Sequence, residues 1–243
     1  MRSIMTLGVC AILSQSLQAD MVPIDTFAID RTEVTVGAFR EFVTATGLTT
    51  AAEQAGGGEV YGFGWTQKPG WIWSHPFGDP AADDEPVVHV TFQEASAYCA
   101  FRGQRLPTND EWQRAAYTEF RTDPPAPFQH GRTYPYPTGE SPVGANCLED
   151  CGPTPALDHR TKLLRGVGHA PVGRTVAGVN GLFDMGANVW EWVDGGTPSA
   201  RGTRGGSWWY GQARMHRNDR ATKPESTAVV YIGFRCAQSR KSP

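Results

Sequence analysis

The chain has 243 residues, with 22 basic and 25 acidic side chains and a formal charge of −3. That length supports one domain with a sizeable core, and the absence of a cationic excess gives no pointer to nucleic acid. Its 28 glycines and 18 prolines argue against a helical bundle and predict a loop-rich domain of short elements. The sequence contains no internal repeat and no low-complexity tract.

Residues 1–19 read as a secretory signal. Arg2 gives the positive start, Ile4 to Leu13 the short apolar run, and Leu17-Gln18-Ala19 a cleavage site, so the mature chain is expected to start near Asp20. The run is too short to span a bilayer. The expectation is an exported protein, periplasmic or secreted, with no membrane partner after cleavage. Lipoprotein processing at Cys10 is disfavoured by Val9 before it.

Val22 to Val34 predicts an extended lead-in with Ile24, Phe27 and Ile29 turned to a core. Thr35 then caps a helix carrying Val36, Phe39, Phe42 and Val43, and Gly47 stops it. Residues 51–86 show little periodicity and predict a long surface loop pinned by aromatics. Pro86 to Thr91 predicts a short buried strand. Thr91 with Glu94, and Thr108 with Glu111, are capping boxes that open two further helices, one carrying Phe92, Ala95 and Cys99, the other Trp112, Ala115 and Ala116. Residues 120–145 form another loop.

Four cysteines remain after the leader: Cys99, Cys147, Cys151 and Cys236. An even count in an exported chain predicts two disulfides among three pairings. Cys147 and Cys151 flank only Leu-Glu-Asp, so a local bridge is economical and leaves Cys99 with Cys236. A thiolate metal site lacks closely spaced ligands, and a redox-active local pair is the other alternative.

The densest stretch runs from Gly181 to Trp192, where Asp184, Asn188 and Glu191 sit among Leu182, Phe183, Trp190 and Trp192. Buried carboxylates need hydrogen bonds, a paired charge or a metal. Two readings stay open: acids that accept backbone N–H bonds in a buried turn, or a hard-cation site of the kind Ca²⁺ takes. Near the end, Arg214, Arg217, Arg220 and Lys223 form a basic run, read as a solvated face or as a contact for an anion or acidic peptide.

Seven segments together resemble the formylglycine-generating enzyme (sulfatase-modifying factor) family. They are Thr32-Glu-Val-Thr35, Pro86-Val-Val-His-Val90, Ala97-Tyr-Cys99, Arg105-Leu-Pro-Thr108 with Glu111-Trp112, Gly186 to Trp192, Arg204-Gly-Gly-Ser-Trp208 and Gly233-Phe-Arg-Cys236. The resemblance covers nearly all of the chain from residue 20 on. It implies a single α+β domain, related to C-type-lectin-like folds, with Cys99 bonded to Cys236. It also implies structural Ca²⁺. One site would use the side chains of Asp184 and Glu191 with the carbonyls of Ala187 and Val189. A second would use Asn146, the Cys147 carbonyl, Asp158 and the Arg160 carbonyl.

In that family two cysteines bind copper for the O₂-dependent oxidation of a sulfatase cysteine. The matching positions here are Tyr210 and Met215, neither of which can supply a thiolate. The Asn common before Gly-Phe-Arg is here Tyr231. The resemblance therefore implies an oxidoreductase-like maturation or tailoring factor for a peptide or protein, comparable to relatives in siderophore maturation or beside copper nitrite reductase. Its remodelled pocket would draw on Ser207, Trp208, Trp209, Tyr210, Met215, His216 and Tyr231. Met215 with His216 is a candidate pair for Cu(I). The competing expectation is a non-catalytic, lectin-like module for peptides, glycans or proteins, in which Trp208, Trp209 and Tyr210 are a contact surface. A monomer is expected.

Overall fold

A computed structural model describes residues 20–240; the signal reading of residues 1–19 lies outside the described residues. The lead-in folds as a hairpin, not as one extended run. β1 (Met21–Ile24) turns at Asp25 and pairs antiparallel with β2 (Phe27–Asp30). Alternation puts Phe27 and Ile29 inside, and the far edge of β2 takes β9 (Ala237–Ser239). A strand that closes the chain thus completes the first sheet.

α1 (Val36–Thr46) follows its predicted signals: the Thr35 hydroxyl accepts from Ala38 N, and Gly47 ends the helix at φ 70°. α3 (Phe92–Phe101) and α4 (Asn109–Tyr117) both start with the expected reciprocal capping boxes. A third box, Thr50 with Glu53, opens α2 (Ala51–Gln54) inside the stretch expected to be loop. That stretch also holds a hairpin, β3 (Glu59–Tyr61) with β4 (Trp65–Gln67).

Pro86 to Thr91 is not a strand, although Val87, Val88 and Val90 are buried as expected. His89 adopts φ 58°, which breaks the extended run and sends its ring inward, where Nε2 donates to the Pro76 carbonyl at 3.0 Å. Gly58 makes room for that ring, since a Cβ there would lie 2.1 Å from His89 Nδ1.

The central sheet has the order β7-β6-β5-β8, formed by β5 (Trp190–Thr197), β6 (Ala200–Arg204), β7 (Ala221–Lys223) and β8 (Ile232–Gly233). β8 runs parallel to β5, with Trp190 opposite Ile232 and Glu191 opposite Gly233. One buried cluster joins Phe39, Tyr98, Trp192 and Phe234 with the aromatics after β6, while Trp112 and Tyr117 of α4 pack with Ile24, Phe27 and Ile29. Cys99 and Cys236 are bonded across 137 residues of sequence, and Cys147 is bonded to Cys151. Among the described residues no helix is long and apolar enough to cross a membrane.

Candidate functional site

The segment before β5 is held by its own side chains rather than by regular structure. Asp184, Ala187 and Asn188 all have positive φ, at 60°, 61° and 52°. Asn188 stabilises this conformation. Its Nδ2 donates to Glu33 Oε2 at 2.7 Å and its Oδ1 accepts from Ala170 N at 2.8 Å and from Asn146 Nδ2 at 3.0 Å. Ala187 N donates to the Gly205 carbonyl at 2.7 Å and Trp208 N to the Asn188 carbonyl at 2.9 Å. The segment is thereby fastened to Arg204-Gly-Gly-Ser207. Arg204, almost fully buried, donates to Asn109 Oδ1, Gln113 Oε1 and the Asp219 carbonyl.

Beneath it lies a cluster of buried charge. Glu191 accepts from Arg235 Nε at 2.8 Å, Arg235 Nη2 at 2.8 Å and Trp112 Nε1 at 2.7 Å. Asp184 accepts from Gly173 N at 2.7 Å and the Thr175 hydroxyl at 2.6 Å. Glu33 accepts from Val189 N at 3.1 Å, in addition to Asn188. Burial, then the neighbouring Asp184 and Glu191 carboxylates, pushes the Glu33 carboxyl well above its ordinary range. Burial also raises Asp184, against the opposing pull of the Gly173 N–H, Thr175 and Arg235.

Burial thus pushes Glu33 and Asp184 toward their neutral forms while Glu191 is paired with Arg235, and this is where the two cation expectations separate. A carboxylate offers about four lone-pair positions. Glu191 uses three of them and Asp184 two, so each retains acceptor capacity. Carboxylate and carbonyl oxygens are the donor type that a hard divalent cation takes. The side chains of the second set are engaged with protein partners. Asp158 closes on its own neighbour Arg160 at the surface, a bidentate contact that lowers its carboxyl to about 2. Asn146 is buried, with Oδ1 accepting from Thr154 and Nδ2 donating to Gly168 O and Asn188. Among the described residues, no group of three or more His, Cys, Asp or Glu side chains is gathered to hold a metal.

The residues expected to line a pocket instead fill one. Ser207, Trp208, Trp209 and Tyr231 are all buried. Trp209 stacks on Tyr231 with centroids 5.9 Å apart, and Trp208 meets Trp209 edge-on at 5.4 Å. Burial raises the Tyr231 hydroxyl above its ordinary value, with neighbouring Tyr210 adding to the effect. Only Tyr210 reaches the rim. It is half-buried, 5.8 Å from Tyr231 and flanked by the guanidinium carbons of Arg165 and Arg214, each 5.8 Å from its ring centre. Arg165 is also anchored to the Trp209 carbonyl through Nε at 3.0 Å.

Met215 and His216 do not form a pair. Met215 is fully buried, with its Sδ 3.9 Å from Cys151 Sγ, whereas His216 points away to meet the Tyr136 ring at 5.4 Å and accept from Asn218 N. Adjacent residues on a tight 3-10 turn (Gln212–Met215) diverge too far to share one ion. In the basic run, Arg214 pairs with Asp219 and Lys223 lies over the Trp65 ring.

The rim extends past Tyr210. Leu164, which is 68% exposed, lies so close to the β3–β4 turn that a Cβ on Gly62 would be 2.2 Å from its Cδ1. Tyr61, Phe63 and Trp65 on that hairpin are exposed. Sequence reasoning missed Glu33, Arg235, Trp112 and Arg165. For Arg235 a signal was present, since it is a lone charge between the buried Phe234 and Cys236.

Three comparisons place this geometry. The model of the sulfatase-modifying factor enzyme 1-like domain matches residues 11–240. The chain is 33% identical to the inactive C-alpha-formylglycine-generating enzyme 2 of Mus musculus over 91% of this chain and 78% of that one. It is 32% identical to the formylglycine-generating enzyme of Mycobacterium tuberculosis over 88% of each chain. Among solved structures, PvdO from Pseudomonas aeruginosa superposes with a TM-score of 0.60 at 20% identity, covering 88% of this chain and 80% of that one. CarF gives 0.57 at 19% identity, covering 88% and 87%. The chain belongs to the formylglycine-generating enzyme (sulfatase-modifying factor) family, and its mixed helix-and-strand domain has that family's fold.

Proposed function

We propose that this chain is an exported maturation or tailoring factor that acts on a peptide or protein substrate without a copper-thiolate centre. One observation carries the reading. Tyr210 and Met215 stand where the resemblance places the two copper-binding cysteines, and they face different surroundings, one at the rim and one sealed in the interior. A thioether and a phenol do not provide the thiolate pair that Cu(I) chemistry requires. The similarity to a relative named as inactive supports the same conclusion. What remains is a rim of Tyr210, Arg165 and Arg214, continued by Leu164 and the exposed hairpin, suited to a peptide carrying aromatic and acidic side chains.

Calcium belongs to this proposal as a structural ion. It would be held by Asp184 and Glu191 with the Ala187 and Val189 carbonyls, and would favour the ionised form of carboxyls that burial raises.

Incubation with copper, oxygen and a sulfatase-type cysteine peptide should yield no aldehyde; aldehyde formation at the rate of an active relative would overturn the proposal. The positive arm compares exported polypeptides from cells with and without this chain by mass spectrometry. A mass change restored by the wild type but not by Y210A supports a tailoring role. The exposed Tyr61, Phe63 and Trp65 favour a second reading, a binding module without chemistry. That reading predicts a stable complex with a partner of unchanged mass.

A further inference from the structure

The two disulfides have different physical characters. Cys99–Cys236 is fully buried and closes a loop of 137 residues. Cys147–Cys151 closes only a sequence separation of 4. On a chain-entropy basis the first restrains the unfolded chain by ~5 kcal/mol and the second by only ~2 kcal/mol. The short bridge can therefore open without threatening the fold.

Its sulfurs are also unequally placed. Cys147 is half-buried, on a loop that exposes Glu149 and Asp150, whereas Cys151 is 1% exposed. The Glu149 carbonyl oxygen lies 2.7 Å from Cys147 Sγ, and Met215 Sδ lies 3.9 Å from Cys151 Sγ. A bridge with an accessible sulfur and little chain entropy to hold it is the more readily reduced of the two.

We propose that Cys147–Cys151 is a thiol–disulfide exchange pair that oxidises a dithiol in an exposed peptide segment. The thiolate of the incoming dithiol attacks Cys147 Sγ and forms a mixed disulfide. The Sγ–Sγ bond breaks, and its electron pair and a proton go to Cys151 Sγ. The second peptide thiol, deprotonated, then attacks the peptide sulfur of the mixed disulfide. Cys147 leaves as thiolate and takes up a proton. The peptide dithiol is oxidised by two electrons to a disulfide, and the protein disulfide is reduced to two thiols.

The loop carboxylates add selectivity. Glu149 and Asp150 repel an anionic thiol approaching Cys147, so a cationic or neutral one is favoured. The activity does not depend on whether Tyr210 binds a peptide.

The test uses the oxidised full chain and a reduced, unstructured peptide with two cysteines. One equivalent of peptide disulfide per chain is expected. Cys147 and Cys151 should become open to alkylation while Cys99–Cys236 stays bonded and the near-UV circular dichroism is retained. C151S mixed with the oxidised peptide should accumulate a mixed disulfide at Cys147, and C147S should form none at Cys151. Cysteamine should open the bridge several-fold faster than mercaptoacetate at low salt, and the gap should shrink in E149Q/D150N. The proposal is overturned if the peptide stays reduced, or if the short bridge opens only together with Cys99–Cys236 as the chain unfolds.

Discussion

Glu191→Gln tests the centre of the fold and the cation proposal in one experiment. The wild-type carboxylate is 1% exposed and takes two bonds from a fully buried Arg235 and one from Trp112. Glutamine keeps the shape and removes the charge. Breaking one side of a buried ion pair costs about 3–5 kcal/mol. Here Glu33 and Asp184 remain near the guanidinium and offset part of the loss, so the lower end of that range, about 3 kcal/mol, is expected. For a domain of this size that corresponds to a Tm lower by roughly 6–12 °C. Reversible urea unfolding followed by tryptophan fluorescence, first with a chelator and then with calcium, separates the two contributions. In chelator the variant should already be destabilised. Calcium at a hundredfold excess over its Kd should add about 2.7 kcal/mol to the wild type and little to the variant. A variant within 1 kcal/mol of wild type in chelator would refute the ion-pair argument, and a wild type indifferent to calcium would refute the cation.

Asp30 is the clearest pH probe. Burial pushes its carboxyl up to about 6, although Cys236 N donates to it. A raised acid favours the protonated fold, so this contribution is full below the ordinary carboxylate value and is lost as pH rises through 6. The stability of wild type relative to D30N should fall by about 3 kcal/mol between acid and neutral pH. The comparison with D30N is needed because burial lowers His89 to about 4 and gives the opposite slope over an overlapping window. An unchanged difference would contradict the buried-acid assignment. Alanine at both Cys99 and Cys236 should cost close to 5 kcal/mol, and at both Cys147 and Cys151 no more than ~2 kcal/mol; chemical denaturation would expose a reversed order. Gly233→Ala should be strongly destabilising, because its Cβ would lie 2.4 Å from the Val87 carbonyl oxygen, backbone that cannot swing aside. Differential scanning calorimetry showing a near-native Tm would refute that.

Local signals in this chain are strong where a side chain bonds its own backbone. Thr91, Thr108 and Thr35 start their helices as read, because each cap needs only neighbours in sequence. Thr50 with Glu53 carried the same signal and was obscured by the glycines that follow it. Val87 to Val90 misled for the opposite reason. Its apolar pattern fits a strand, but the His89 ring needs the space left by Gly58, a contact no periodicity reveals. Asp184 and Glu191 were legible from their motif as buried acids, whereas Arg235 as the partner of Glu191 depends on β8 lying beside β5. Asp158 closes on Arg160, two residues along, a contact that the motif did not announce.

The order in which the sheets close bears on when this chain can fold. Glu33 meets Asn188 across 155 residues, Arg235 reaches the Asp30 carbonyl across 205, and β9 seals a hairpin laid down at the start. A polypeptide of this wiring has no finished interior while its last strands are still inside the ribosome, and long-range pairings of this kind form slowly. During that interval the residues destined for its interior stay open to solvent and to other chains.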